Sequence, residues 1–289
     1  MKYKVIHKTT YTYSEPVSLC QNIALLHPRN TDCQVLNEYR LSISPDPLTR
    51  QTYEDAFGNN LEYFSIEEDH SELSVTSVSI IENDYKSVDE KWNEAAKISW
   101  KEIKDSIREN DYSILQFIAP TTITEFNCDI KEFAEKIFSK NTSFLICVKT
   151  LMQTIFTDWK FSSGFTTIAT PPSEVFKLKK GVCQDFANLA LACIRSLGLP
   201  ARYVSGYIET IPPEGEKKML GADASHAWFA VFVPNYGWFD FDPTNNKIPK
   251  EEYIVTSWGR DYFDVVPLKG VMTGFGENTM DVAVDVVKM

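Results

Sequence analysis

Long apolar runs are missing from this chain of 289 residues. A membrane-spanning helix needs about 20 consecutive apolar residues, and the longest clear stretch, Ala227 to Val233, is only strand-sized. No membrane partner is therefore expected. Cysteines are sparse. Cys20, Cys33, Cys128, Cys147, Cys183 and Cys193 form no CxxC pair and no dense framework, which argues against zinc ribbons and disulfide scaffolds and leaves reduced thiols as the expectation. Positive charge is also in deficit: 29 Lys and Arg stand against 40 Asp and Glu, for a net charge of −11. Such a field repels phosphate backbones and anionic lipid, so nucleic acid is not an expected partner. A basic segment leading into an apolar one, the mark of a secretory leader, is not seen between Met1 and Tyr13, where Tyr, Thr and Lys alternate as in a strand. A cytoplasmic protein is expected, and no internal repeat is visible.

What the chain does contain is the composition of a globular protein, 43% hydrophobic and 13% aromatic, long enough for two domains. The first, over residues 1–84, reads as all-β. Tyr39, Leu41 and Ile43 alternate with Arg40, Ser42 and Ser44, and Phe57 to Asn60 supplies a turn. Short strands punctuated in this way predict a β-sandwich. Near Lys86 alternation stops and charge rises, so residues 85–289 are expected to form a second domain with a helical lead-in. Asp129 and Glu132 suggest a capping box, followed by an apolar stripe through Ile130, Phe133, Ala134, Ile137 and Phe138. Val148, Leu151, Met152, Ile155 and Phe156 repeat that stripe. The fold class is α+β.

Chemistry enters after Lys180. Gly181 is expected to break the preceding basic helix, and Phe186, Ala190, Ile194 and Leu197 mark a buried helix that starts at Cys183. A thiol there meets free backbone N–H groups and the positive end of the helix dipole, and both favour thiolate. Cys193, ten residues along the same helix, lies about 15 Å away and belongs to the core. His7, His27 and His70 fall in the β domain, which leaves His226, heading an apolar strand, as the imidazole available to Cys183. Asp240 and Asp242 share a face of the next strand. If the connecting loop has an odd residue count, Asp242 falls opposite Trp228 and diagonal to His226, about 7–8 Å apart at Cα. An even loop would send it to the other face, and a strand-ending turn is the alternative role for Asp242-Pro243-Thr244. Asp223, His226, Asp240 and Asp242 make a poor metal set because they lack helical spacing. No metal and no cofactor are expected.

Four ordered blocks then become recognisable: Gly181-Val182-Cys183-Gln184-Asp185-Phe186-Ala187, Gly198 to Tyr207, Ser225-His226-Ala227-Trp228, and Gly237-Trp238 with Asp242-Pro243-Thr244. They resemble the bacterial transglutaminase-like superfamily, and Tyr13, Pro28-Arg29, Gln34 and Asp55 to Asn59 are similar to the β domain that precedes that core. The resemblance implies a papain-like core, with helices packed on an antiparallel sheet, and a Cys-His-Asp triad of Cys183, His226 and Asp242. It selects Asp242 over Asp240. Relatives of this kind catalyse acyl transfer from amides, so a peptide or protein amide is the implied substrate and a thioester the implied intermediate. The Cys183 backbone N–H is a natural oxyanion donor, and Trp159 is the candidate for the second. Asn188 departs from the family pattern, where histidine is expected. Peptide or amide hydrolysis is preferred over glutamine crosslinking, because an acidic cytosolic crosslinker with no activation segment would be a hazard. A non-catalytic interaction module is the remaining alternative. Lys177, Lys179 and Lys180 are expected to stay solvated, and Asp185 to cap backbone.

Overall fold

The computed structural model describes residues 1–107, 111–139, 142–210 and 225–289. Five strands come first: β1 (Lys2–Ala24), β2 (Gln34–Ser44), β3 (Thr49–Glu54), β4 (Asn60–Ile66) and β5 (His70–Asn83). Helices α1 (Lys86–Ala95), α2 (Trp100–Ser106), α3 (Tyr112–Leu115), α4 (Cys128–Ile137) and α5 (Phe144–Asp158) follow. Next come β6 (Lys160–Phe161), α6 (Pro172–Leu178), β7 (Lys180–Gly181), α7 (Cys183–Ser196), β8 (Ala201–Ile208), β9 (Ser225–Val233), β10 (Gly237–Phe241) and β11 (Tyr253–Gly259). The chain ends with β12 (Leu268–Gly274) and β13 (Asn278–Lys288).

The N-terminal strands form one antiparallel sheet in the order β2-β5-β1-β4-β3. In β1, Tyr3, Val5, His7 and Thr9 turn inward while Lys2, Lys4 and Lys8 face water, the period of a half-buried strand. Pairing with β5 is interrupted between Thr12 and Val17, where Pro16 has no N–H to offer the ladder. The two ends of the sheet come together, because Arg50 on β3 donates to the Leu41 carbonyl on β2 at 3.1 Å. Leu41, Ile43, Phe64, Ile66, Leu73 and Val75 fill the space so enclosed. The expected sandwich is thus made from one curled sheet.

The residues after Pro267 depart from the expected division at residue 85. They return to the first lobe, where β12 pairs with the second half of β1 and β13 with the first. The reason lies in β13, whose Val284 and Val286 bury with Tyr3, Val5 and Ile81 against Tyr207 and Ile254 of the core. The cap of α4 also differs: Asn127, not Asp129, accepts the Ile130 N–H at 3.0 Å, and Asp129 occupies the first turn.

The core is a four-stranded antiparallel sheet, β10-β9-β8-β11, with α7 on one face. Residues Asp185 to Arg195 of α7 are buried on every side. They pack on Ala227, Phe229, Val231, Phe239 and Phe241 of the sheet and on α4 and α5. β11 would be an open edge, with main-chain groups in need of partners. Side-chain amides of the first lobe supply them. Gln34 accepts the Val255 N–H and donates to the Val255 carbonyl, both at 2.8 Å. Asn59 pairs in the same way with the N–H and C=O of Trp258, and Asn83 donates to the carbonyls of Glu251 and Tyr253.

Removing the Gln34 amide leaves the Val255 N–H without a partner, at about 1–3 kcal/mol, while the Val255 carbonyl keeps the Arg29 N–H at 3.2 Å. Gln34→Ala is therefore expected to lower the unfolding free energy measured by denaturant titration by at least about 1 kcal/mol, while Val35→Ala at the adjacent exposed position stays within about 0.5 kcal/mol of wild type. Equal, small shifts for both would show that the amide contacts do not hold the lobes together.

Candidate active site

The approach to α7 is shaped by close contacts. α6 ends at Lys179 in the left-handed conformation, φ 54°, so the helix break falls two residues before the glycine expected to make it. Gly181 serves a different purpose: a Cβ there would lie 2.8 Å from the Asp185 carboxylate. Asp185 uses that space to accept the Val182 N–H at 2.8 Å and the Thr166 hydroxyl at 2.6 Å. This closure fixes the first turn, in which Cys183 is the leading residue and is partly exposed. Its backbone N–H has no acceptor within the helix. Cys193 is fully buried, and burial pushes its thiol well above the usual range.

His226 is the second residue of β9, and Asp242 follows β10 directly. Gly237 pairs with Val233 and Phe241 with Phe229 across a connection of residues 234–236, an odd count. The same register carries Asp242 opposite Trp228 and diagonal to His226. The side chains close the remaining gap, with His226 Nε2 2.8 Å from Asp242 Oδ2. Asp240, one pleat back, instead accepts the Trp228 indole N–H at 3.1 Å.

Asp242 is fully buried, and an unpaired carboxylate there would be prohibitive. Its Oδ2 also accepts the Tyr253 hydroxyl and the Asn245 amide, both at 2.7 Å, while Oδ1 accepts the N–H groups of Thr244 and Asn245 at 2.8 and 3.3 Å. Burial raises the Asp242 pKa, but His226, Tyr253 and Asn245 together hold it below the ordinary carboxylate value. For His226 burial acts downward and is outweighed by hydrogen bonds and charge from Asp242 and Cys183, which raise it to about 10. With Nε2 committed to Asp242, Nδ1 remains for the sulfur. The ring is backed by Trp228, 6.0 Å between centroids and 27° between planes. Trp228 can lie there because Gly206 has no Cβ; one would sit 2.7 Å from the indole and 2.0 Å from the Ile254 carbonyl.

Trp159 does not fit the second oxyanion role. It is buried, and its indole N–H already donates to the Val175 carbonyl at 3.0 Å. Its ring carries the Lys179 ammonium at 3.1 Å and packs edge-on to Phe133, so Lys179 is a packed cation and not a solvated one. Asn188 is buried with its Oδ1 unpartnered. Of the metal set considered from sequence, Asp223 lies outside the described residues, and the oxygens of Asp242 are taken up by donors. Among the described residues no cluster of His, Cys, Asp and Glu suits a metal ion. Sequence reasoning missed Asn245 and Tyr253. Asn245 could have been found as the turn residue after Asp242-Pro243-Thr244, whereas Tyr253 arrives from a different strand and left no local signal.

Residues 3–82 match the bacterial transglutaminase-like N-terminal region, and residues 131–243 match the transglutaminase-like superfamily. An uncharacterized protein of Mycobacterium tuberculosis is 38% identical over 291 residues, covering 99% of this chain and 92% of that one. The protein-glutamine gamma-glutamyltransferase of Pseudomonas aeruginosa is 31% identical over 77 residues, 26% of this chain and 12% of that enzyme. Among solved structures, a candidate cysteine protease from Cytophaga hutchinsonii superposes with a TM-score of 0.77 at 21% identity, covering 99% of this chain and 90% of its own. That likeness is one of fold. No helix among the described residues is long and apolar enough to cross a membrane.

The two buried imidazoles are expected to titrate in opposite directions. His226, raised to about 10, contributes stability in full below its unfolded value of 6.5 and loses it as pH rises through 10. His7, lowered by burial to about 4, contributes above 6.5 and loses that contribution as pH falls toward 4. Nitrogen-15 histidine spectra should show His226 protonated at pH 8 and His7 neutral at pH 5.5, with His226 releasing its proton at lower pH in Asp242→Asn. A neutral His226 at pH 7 in the wild type would contradict this electrostatic reading.

Proposed function

The chain belongs to the transglutaminase-like superfamily, and from that premise we propose that it is a thiol-dependent acyl-transfer enzyme acting on peptide or protein amides, with Cys183, His226 and Asp242 as its triad. The observation that carries this reading is the His226–Asp242 hydrogen bond of 2.8 Å, which leaves the other ring nitrogen for a thiol at a helix N-terminus. Asp242 holds the tautomer and stabilises the imidazolium, the role of the third member of such a triad.

The reaction follows from these roles. Cys183 thiolate attacks the amide carbonyl carbon, and the carbonyl oxygen takes the negative charge toward the Cys183 backbone N–H. As the tetrahedral species collapses, the C–N bond breaks and His226 Nδ1 gives its proton to the departing amine. A thioester on Cys183 remains. The acceptor then loses a proton to His226 as it attacks, and the sulfur leaves as thiolate, which restores the ion pair. Water as acceptor gives hydrolysis; a lysine amine gives a crosslink. We favour hydrolysis, because Cys183 is partly exposed and water reaches its thioester without a further binding site. Similarity to the Pseudomonas protein-glutamine gamma-glutamyltransferase over a short segment keeps transfer as the second reading. All six cysteines are free, which suits the reducing cytoplasm, where we place the protein.

Iodoacetamide at pH 6 is expected to modify Cys183 ahead of the other thiols, and His226→Ala to slow that reaction by at least about tenfold. An activated glutaminyl or peptidyl ester should leave a mass adduct on Cys183 that water discharges as fast with added primary amine as without. Amine-accelerated discharge carrying the amine into product would replace hydrolysis by crosslinking. Absence of any adduct, with Cys183 no more reactive than Cys128, would leave a non-catalytic module.

A further inference from the structure

Among the described residues two arginines are buried, and their surroundings differ. Arg195, 2% exposed, donates to the carbonyls of Phe117, Ala201 and Arg260 and to the Thr124 hydroxyl over 2.6–3.2 Å. Arg202 is 7% exposed and, among the described residues, makes no hydrogen bond and no ion pair; its Nε is buried without an acceptor. A buried N–H of a guanidinium without an acceptor is costly; the charge of Asp240 on the same sheet offsets part of the burial but supplies no acceptor to Nε. The guanidinium lies 4.3 Å from the Trp238 ring and 3.6 Å from the Trp258 ring, which Arg29 also approaches at 3.6 Å.

A cleft of about 340 Å³ opens beside this stack, at the seam between the curled sheet and the core, with Arg202, Trp238, Trp258, Tyr236, Cys33 and Asp240 in its lining. Arg202 shares its sheet face with Val204, Trp228 and Ala230, and the lining of the cleft includes none of Cys183, His226 and Asp242. Arg202 and Asp240 both pair with Ala230, one from each side, which sets their Cα atoms about 10 Å apart. At that spacing the two charges act on each other without a hydrogen bond or ion pair, and both residues line the cleft.

We propose that this cleft is a binding site for a small monoanionic carboxylate carrying a planar apolar body. The guanidinium fork matches a carboxylate with two parallel hydrogen bonds, and the indole walls suit a flat apolar group. A dianion such as phosphate is disfavoured, because Asp240 and Asp32 both line the cleft and Lys91, its other cation, is paired with Asp32 at 3.0 Å. The volume lies at the lower end of the range for ligand pockets, about 300–1,000 Å³, which limits the guest to a single ring or a short chain.

Phenylacetate, its neutral isostere phenylacetamide, and inorganic phosphate distinguish the possibilities when titrated calorimetrically into the full-length protein. Phenylacetate is expected to bind saturably, at least about tenfold more tightly than phenylacetamide, with phosphate failing to compete. Arg202→Gln should abolish that preference with the circular dichroism unchanged. Should that variant not fold, wild-type protein treated with N-ethylmaleimide provides the localisation: phenylacetate should slow alkylation of Cys33, in the cleft, and leave exposed Cys128 unaffected. Equal affinity for acid and amide, binding without protection of Cys33, preferential binding of phosphate, or no saturable binding would each overturn the proposal. Cys183→Ala should bind phenylacetate as wild type does, so the result does not depend on the catalytic reading.

Discussion

A single buried carboxylate organises this protein. Asp242 has no exposure to solvent, and five donors from four residues converge on its two oxygens. In a low-dielectric site that arrangement keeps the carboxylate charged, and the charge in turn keeps His226 protonated.

The curled sheet is connected to that carboxylate through β11. This strand carries Tyr253, whose hydroxyl is one of the five donors, and its outer edge is held by Gln34, Asn59 and Asn83 from the first lobe. The position of the tyrosine therefore depends on amides in a different part of the chain. Trp228 makes a second connection. Its ring backs His226 while its N–H meets Asp240, so one indole stands between the His226–Asp242 pair and the Arg202 cleft. Gly206 makes room for it. Polar and aromatic contacts of long sequence separation thus fix where the histidine can stand.

Much of this was legible from residue order because it is local. An apolar run located the strand headed by His226, the apolar stripe located α7, and side-chain parity with an odd connection was enough to bring Asp242 beside His226. Parity alone left Asp240 open; the resemblance to a known family separated the two. What escaped was nonlocal. Nothing near Leu268 to Lys288 announces that these strands close the N-terminal sheet, since their partners in β1 lie more than two hundred residues away. Trp159 failed as an oxyanion donor because its N–H is committed to Val175 in the turn of α6, a packing fact that aromatic identity does not encode. Arg195 and Arg202, seven positions apart, look alike in sequence, and only the fold shows that one is saturated with acceptors and the other is not.

The central claim is that Asp242 acts on Cys183 through His226. Alkylation rates of Cys183 in wild-type protein, Asp242→Asn, His226→Ala and the double variant form a cycle that measures this coupling directly. The account predicts that each single replacement slows alkylation and that the double variant is no slower than His226→Ala. Additive losses, or a Cys183 rate indifferent to both residues, would contradict it.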